Sequence, residues 1–387
     1  MKKSYNLLTP GPVPLTSSIK NILSKQPEYH RGLKFQHLFK EVKKNLKTFF
    51  QTKESVIILT STGTGAMESA LTNTLSPQDR VLCVCGGKFG ERWKEISESY
   101  GLEVTSIDVV WGEAVDPKKI KEHLQKDSNI KAVLISACET STATSHPIKE
   151  ISDLLKNYPQ TLFIVDAITA LGAMPLPMDL WNLDVLIGGS QKSFLLPTGL
   201  SFIALSQKAW NFQKQSRFPK YYFDLKREKE DQDKGHSSFS INVSFIQALE
   251  ESLNFLLNQR GGLEKNIKRC EQLTKATHLF CKELGLELFS KNPSTSVTAL
   301  TIPAPISAEA IKKSLEEKAN IIVAGGQGPL KNKIIRIGHL GFIENKNLLN
   351  GLKSLAQNLH QADSKQFPKN KIKTSLKLAK KELSKKI

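Results

Sequence analysis

Apolar residues along this chain fall into two alternating rhythms. One is short and nearly continuous: Val56–Leu59, Val81–Val84, Val104–Val109, Ala132–Ser136 and Leu162–Val165 are rich in Val, Ile and Leu, the pattern of strands buried on both faces. The other has helical spacing. It starts with Ile19 to Leu23, and Phe35 to Phe50 then puts Leu38, Phe39, Val42, Leu46 and Phe49-Phe50 on one face. Gly65–Leu75, Glu91–Tyr100, Pro117–Gln125 and Ile148–Asn157 continue it between the strands. Strands separated by helices need crossover connections, so the pattern predicts an α/β fold with a mostly parallel, doubly wound sheet. After Asp184–Gly188 the pattern changes, and Leu200–Leu205 predicts a strand that returns antiparallel. A long helix predicted from Val243 to Asn258 stops at Gly261-Gly262, where two glycines mark a boundary. Beyond it lies a smaller α+β unit with strands near Val297–Ile302 and Ile334–Ile337. The expected division is an N-terminal arm (1–18), a large domain (19–262), a small C-terminal domain (263–362) and a Lys-rich tail (363–387).

Composition narrows the class. A chain of 387 residues can bury a large domain and a smaller one, and 39% hydrophobic with 24% charged residues is ordinary for a globular protein. Five cysteines (Cys83, Cys85, Cys138, Cys270, Cys281) have neither metal-ligand spacing nor an even-numbered framework. Reduced, packed thiols and no metal are expected. Met1-Lys2-Lys3 is followed by Pro10, Pro12 and Pro14 before an apolar segment can form, which argues against a signal peptide. The apolar runs are too short to insert in a membrane. A cytoplasmic location follows as the expectation.

The net charge of +18 changes meaning once it is located. From Ser364 to Ile387 there are nine lysines and one glutamate, so +8 belongs to the tail and +10 to the rest. The tail has a short helix-like pattern but no aromatic platform for bases. A solvated or weakly helical extension is the main reading. Binding of RNA, a membrane surface or an acidic partner through it is the alternative.

Three local constellations fall at the carboxyl ends of predicted strands, where open α/β sheets bind ligands. Ser61-Thr-Gly-Thr-Gly-Ala-Met-Glu68 joins a strand to a helix. Its glycines allow a tight turn, and the helix start offers free N–H groups to a phosphate; a plain strand–helix turn fits equally. Asp166 ends an apolar strand, so its carboxylate needs a cation or hydrogen-bond donors at a buried rim. A protonated pyridine nitrogen would serve, and so would the next turn, capped by Asp166 itself. Lys192 is flanked by Gly188-Gly-Ser before it and Phe194-Leu-Leu-Pro after it. Desolvation there would lower its pKa and expose a nucleophilic amine, whereas a lysine snorkelling out of the turn is the bland reading. The 26 residues from Asp166 to Lys192 are enough for one connection and one strand, so both side chains could reach one crevice.

These residues form part of a longer ordered set. Leu8-Thr-Pro-Gly-Pro-Val-Pro14, the Thr-Gly-Thr-Gly-Ala-Met-Glu turn, Lys88-Phe-Gly-Glu-Arg92, Glu139-Thr-Ser-Thr142, Val165-Asp-Ala, Gly189-Ser-Gln-Lys192 and Ile335-Arg-Ile-Gly338 follow one another. The chain thereby resembles the class V aminotransferases, in the branch of alanine–glyoxylate, serine–pyruvate and serine–glyoxylate aminotransferases. The resemblance covers about residues 5–360. It implies the pyridoxal 5′-phosphate (PLP)-dependent transferase fold type I, with Lys192 holding PLP as a Schiff base and moving the substrate proton. It implies that Asp166 pairs with the pyridinium nitrogen, and that Thr64, Gly65 and Ala66 cradle the phosphate, aided by Gln191. Phe89 would stack on the ring, Thr140 would approach the phenolic oxygen, and Arg336 would clamp the substrate carboxylate near Gly11. Ser240 would serve the phosphate of a neighbouring subunit, in a homodimer with shared active sites. Core packing is the bland reading of Phe89, and a surface ion pair that of Arg336.

Some positions depart from the family pattern. Ala143 follows Glu-Thr-Ser-Thr where glycine is usual, a single proline (Pro197) follows the lysine turn, and Ser237-Ser-Phe-Ser240-Ile-Asn replaces a segment with Thr and Pro. The expected reaction is ping-pong transamination from alanine or serine to glyoxylate or pyruvate. Alternatives are another donor (a phosphonate, phosphoserine or aspartate), a PLP lyase resembling cysteine desulfurase, and a non-enzymatic subunit associated with a hydrogenase or binding through its tail. A desulfurase would stack a His where Phe89 stands and carry a mobile Cys, which the Gly325–Lys333 loop lacks.

Overall fold

The computed structural model describes residues 5–387. The chain opens with β1 (Asn6–Leu7), α1 (Ser17–Leu23) and α2 (Leu33–Phe50). Five strands then alternate with helices: β2 (Val56–Leu59), α3 (Gly63–Thr74), β3 (Arg80–Cys85), α4 (Lys88–Ser99), β4 (Glu103–Asp108), α5 (Pro117–Lys126), β5 (Ile130–Ser136), α6 (Ile148–Leu155) and β6 (Leu162–Asp166). Next come β7 (Val185–Gly189), β8 (Ser201–Leu205), α7 (Gln207–Gln213), α8 (Leu225–Lys234) and α9 (Val243–Asn254).

The strands form one seven-stranded sheet in the order β2-β8-β7-β6-β5-β3-β4. β8 runs antiparallel to both neighbours, as its position after a change of pattern predicts. The other pairs are parallel. Central strands such as β6 are buried at every residue, because helices cover both faces. Edge strand β4, Glu-Val-Thr-Ser-Ile-Asp, is exposed or half-buried at every residue but Ile107 and accordingly polar. Parallel order carries the ends of β5, β6 and β7, with Ser136, Asp166 and Gly189, to the same edge.

Residues 263 onward supply α10 (Leu263–Leu284), β9 (Val297–Thr301), α11 (Ala308–Ala319), β10 (Ile321–Ile322), β11 (Ala324–Gly325), β12 (Ile334–Gly338), α12 (Asn345–Ala362) and α13 (Lys369–Leu383). β9, β12 and β11 form an antiparallel sheet in that order. β1 pairs parallel with β10, so the N-terminal arm is first tied to this region and then crosses to the large sheet.

Two expectations need correction. The predicted helix Val243–Asn258 is α-helical only to Asn254, and Phe255–Gln259 continues as a π-helical turn before the two glycines. The Lys-rich tail is not a solvated extension. Its helix α13 packs lengthwise on α10 and α12, burying Phe367, Ser375, Ala379 and Leu383, while all nine lysines from Lys365 to Lys386 face solvent. Burying Phe367 and Leu383 alone stabilises this arrangement by about 1.5–3 kcal/mol each. Among the described residues no helix is long and apolar enough to cross a membrane.

Candidate active site

Lys192 sits in the turn between β7 and β8. The turn is held from below by Phe194, whose ring lies 4.6 Å from Phe49 and 4.4 Å from Phe202, centroid to centroid. The apolar flank read in the sequence therefore packs down into the core and leaves the lysine on the site side. Lys192 is only 8% exposed, and its Nζ donates to the carbonyl of Pro10 at 2.7 Å. The arm closes over it at Gly11, which has φ +143°; a Cβ there would stand 2.6 Å from Nζ. Only glycine fits. Burial pulls the ammonium down from 10.5 to about 8; Arg336 adds to this, and Cys138 and Asp166 oppose it.

Asp166 ends β6 and is 5% exposed. Its Oδ1 accepts from the Ile168 N–H at 2.8 Å and its Oδ2 from the Ser136 hydroxyl at 3.1 Å. Among the described residues it has no cationic partner within 4.0 Å, Lys192 included. Burial raises the carboxyl from 3.8 to about 6, against the pull of those two hydrogen bonds. Ser136 was not singled out in the sequence. The signal was positional, since a residue at the end of a neighbouring parallel strand pairs with Asp166 in register.

The Gly63–Ala66 turn is the first turn of α3, and Thr62 at its cap makes no side-chain hydrogen bond to it. Gly63 packs closely on the segment that follows Asp166: a Cβ would lie 2.3 Å from Ile168 Cδ1, and that side chain would have to move. Gln191, one residue before the lysine, has its Oε1 buried without a hydrogen-bond partner. Such an acceptor, buried without a donor, is costly in a closed protein.

Phe89 is the second residue of α4. A residue the sequence reading gave no role holds it there: the buried Glu139 carboxylate accepts from the N–H groups of Phe89 (3.0 Å) and Gly90 (2.9 Å). Its other oxygen accepts from the N–H (3.1 Å) and hydroxyl (2.5 Å) of Ser141. A carboxylate at a helix N-terminus satisfies free N–H groups and opposes the dipole. The same loop presents Thr140, whose hydroxyl donates to Thr169 Oγ1 at 2.7 Å and whose carbonyl accepts from Arg336 Nη1 at 2.9 Å. Arg336, on β12, also donates through Nε to the Gly325 carbonyl at 3.0 Å. It is 6% exposed, forms no ion pair among the described residues, and burial lowers it to about 10.

Hydrogen bonds and close contacts thus join Lys192 to the Pro10-Gly11 arm and Arg336 to Thr140, and the Gly338 N–H, donating to the Leu8 carbonyl at 2.8 Å, ties the arm to the strand of Arg336. Phe89 is tied in through Glu139. Ser240 is not: it is exposed in the loop after α8 and hydrogen-bonded to none of these groups.

A buried amine, an uncompensated carboxylate on the next strand and a buried guanidinium are groups of amino-acid chemistry. The family model described as Aminotransferase class-V matches residues 16–337. The chain belongs to the class V aminotransferases. A curated relative from Anabaena cylindrica, named a soluble hydrogenase 42 kDa subunit, is 39% identical over 359 residues, 92% of this chain and 93% of that one. The serine–glyoxylate aminotransferase of Methylorubrum extorquens is 32% identical over 360 residues, covering 90% and 89%. The crystal structure of ureidoglycine–glyoxylate aminotransferase from Bacillus subtilis superposes with a TM-score of 0.91 at 27% identity, covering 98% and 99%. The fold is the PLP-dependent transferase fold type I. The cofactor of this class V aminotransferase is pyridoxal 5′-phosphate. The residues fit it on the structure's own terms, since the Asp166 carboxylate without a cationic partner and the lysine of lowered basicity lie at the ends of adjacent strands.

Proposed function

We propose that this aminotransferase moves an amino group from alanine or serine to glyoxylate or pyruvate. The observation that carries the reading is the pair of buried, mutually unpaired groups at adjacent strand ends, Lys192 and Asp166. When bound, PLP supplies an electron-withdrawing ring and a carrier for the amino group. Lys192 Nζ would hold the cofactor and, once displaced by the incoming amino group, move the proton at substrate Cα. An amine with a pKa of about 8 does both near neutrality, being readily neutral and readily reprotonated. Asp166 would face the ring nitrogen and keep it protonated, and that cation would in turn supply the charge its carboxylate lacks.

Thr64, Gly65 and Ala66 would bind the phosphate at the start of α3, with Gln191 adding a polar contact, Phe89 covering the ring and Thr140 near its phenolic oxygen. Arg336 would fork onto the substrate carboxylate, already oriented by the carbonyls of Gly325 and Thr140. Gly11 and its arm would exclude water above Lys192. Ser240, exposed and apart from these groups, would serve the phosphate of a second copy in a homodimer. Five free, buried cysteines support a cytoplasmic setting.

Glyoxylate as acceptor is supported by its presence in the names of the Methylorubrum and Bacillus proteins. The Anabaena relative's name assigns that protein to a hydrogenase; the amine, carboxylate and guanidinium of this chain are groups of amino-group transfer, and the reading follows them. The test is to mix the PLP-loaded protein with a panel of amino acids and follow the visible absorption of the cofactor. Serine or alanine should convert it to the amino form, and glyoxylate or pyruvate should restore it. A protein with no visible band, or one converted only by dicarboxylic or phosphorylated donors, would overturn the proposal.

A further inference from the structure

Arg92 is a cation with no part in the site described above. It lies on α4, three residues after Phe89 and so on the same helical face. Its guanidinium carbon stands 4.8 Å from the centre of the Phe89 ring, and its Nη1 donates to the Thr64 hydroxyl at 3.4 Å. It is half-buried and forms no ion pair among the described residues. Its neighbours on α4 differ: Lys88 pairs with Glu91 at 2.6 Å and Lys94 reaches Glu98 at 3.9 Å. A guanidinium has five donors in a rigid fork, and one donated hydrogen bond leaves most of them unused.

The direction of the hydrogen bond matters. Thr64 Oγ1 accepts from Arg92, which leaves the threonine hydrogen free to donate to an anion at the start of α3. The guanidinium therefore meets the threonine hydroxyl in the first turn of α3, whose N–H groups have no side-chain cap. Glu139 fixes α4 by its first N–H groups, so Arg92 is held opposite α3 by the same cap that holds Phe89.

We propose that Arg92 is a cofactor-binding residue: stacked on Phe89, it grips the PLP phosphate together with the start of α3. The inference rests on the cofactor site proposed above and deepens it. A phosphate with two charges meets only partial charges at a helix start, and a full positive charge beside it strengthens binding. Because one side chain touches both the ring cover and the phosphate end, it also fixes the position of Phe89 relative to the cofactor.

The test is binding by the cofactor-free protein, read as fluorescence quenching on titration with PLP and, separately, with pyridoxal, which has no phosphate. Arg92→Gln should weaken PLP binding by roughly 10- to 100-fold, the loss expected for a charge-assisted hydrogen-bonded contact, while pyridoxal binding changes by less than about twofold. Arg92→Lys should fall between, since it keeps the charge and loses the fork. Inorganic phosphate should compete with PLP uptake in the wild type and less well in Arg92→Gln. Equal PLP affinity in wild type and Arg92→Gln would overturn the proposal. So would an equal loss for pyridoxal, which would make Arg92 a packing support for Phe89 only. Failure of the wild type itself to bind PLP would sink the cofactor site, a result distinct from either.

Discussion

A substitution at the heart of the site should make the cofactor-free protein more stable and the enzyme worse. The residue is Asp166 and the change is Asp166→Asn. In the folded chain its carboxyl titrates at about 6 against an ordinary 3.8, because burial penalises the ionised form more than two hydrogen bonds favour it. The folded chain thus holds this proton more tightly than the unfolded chain. Its contribution to stability is whole below about pH 4 and is lost as the pH rises through 6. The difference between 3.8 and about 6 corresponds to roughly 3 kcal/mol at pH 8. An asparagine avoids that cost and keeps both contacts: its Oδ1 accepts from Ile168 N–H and its Nδ2 can donate to the Ser136 hydroxyl.

Thermal denaturation of cofactor-free protein across pH measures this. The variant should melt a few degrees above the wild type at pH 8, and the gap should narrow on acidification and be nearly closed at pH 4. With PLP bound the order should reverse, since the amide has no charge to hold the ring nitrogen protonated. Turnover should drop by roughly two to four orders of magnitude, the range for removing one partner of a buried charge pair. A variant no more stable than wild type at pH 8, or one whose advantage is the same at pH 4, would refute the idea that Asp166 is an uncompensated buried carboxylate.

Lys192→Ala should abolish turnover and the visible band of the bound cofactor while circular dichroism stays unchanged, because Phe194 rather than the lysine anchors the turn; measurable turnover would remove Lys192 from its role. In the wild type, the rate of PLP capture by cofactor-free protein should rise with pH through about 8, where the neutral amine becomes the majority form, and a profile flat from pH 6 to 9 would contradict it. Phe367→Ala should cost about 3–5 kcal/mol of stability, and ending the chain after Ala362 should lower the melting temperature further by uncovering α10 and α12. Unchanged melting after either change would show that α13 is dispensable to the fold.

The last of these expectations is one that the sequence alone argued against, and the reason is instructive. Phe367, Leu376, Ala379 and Leu383 keep a helical spacing through the tail, but nine lysines in the same stretch outweigh them in any reading by composition. A narrow apolar face is enough when a partner helix lies ready, and α10 is invisible to a local reading of α13. Glu139 shows the same limit inside the site. It stands in a recognisable Glu-Thr-Ser-Thr run, yet the helix it caps begins about 50 residues earlier, so no spacing rule joins them. The strands and most helices were legible because their signal is periodic burial, which a sheet covered on both faces enforces residue by residue. Lys192 and Asp166 were legible for a related reason. A charged residue at the end of an apolar run contradicts the run, and a fold retains such a contradiction where a ligand resolves it. Arg92 had its place in the ordered motif Lys88-Phe-Gly-Glu-Arg92 but no role there, because its contacts with the Phe89 ring and the Thr64 hydroxyl join two helices and only the fold brings them together.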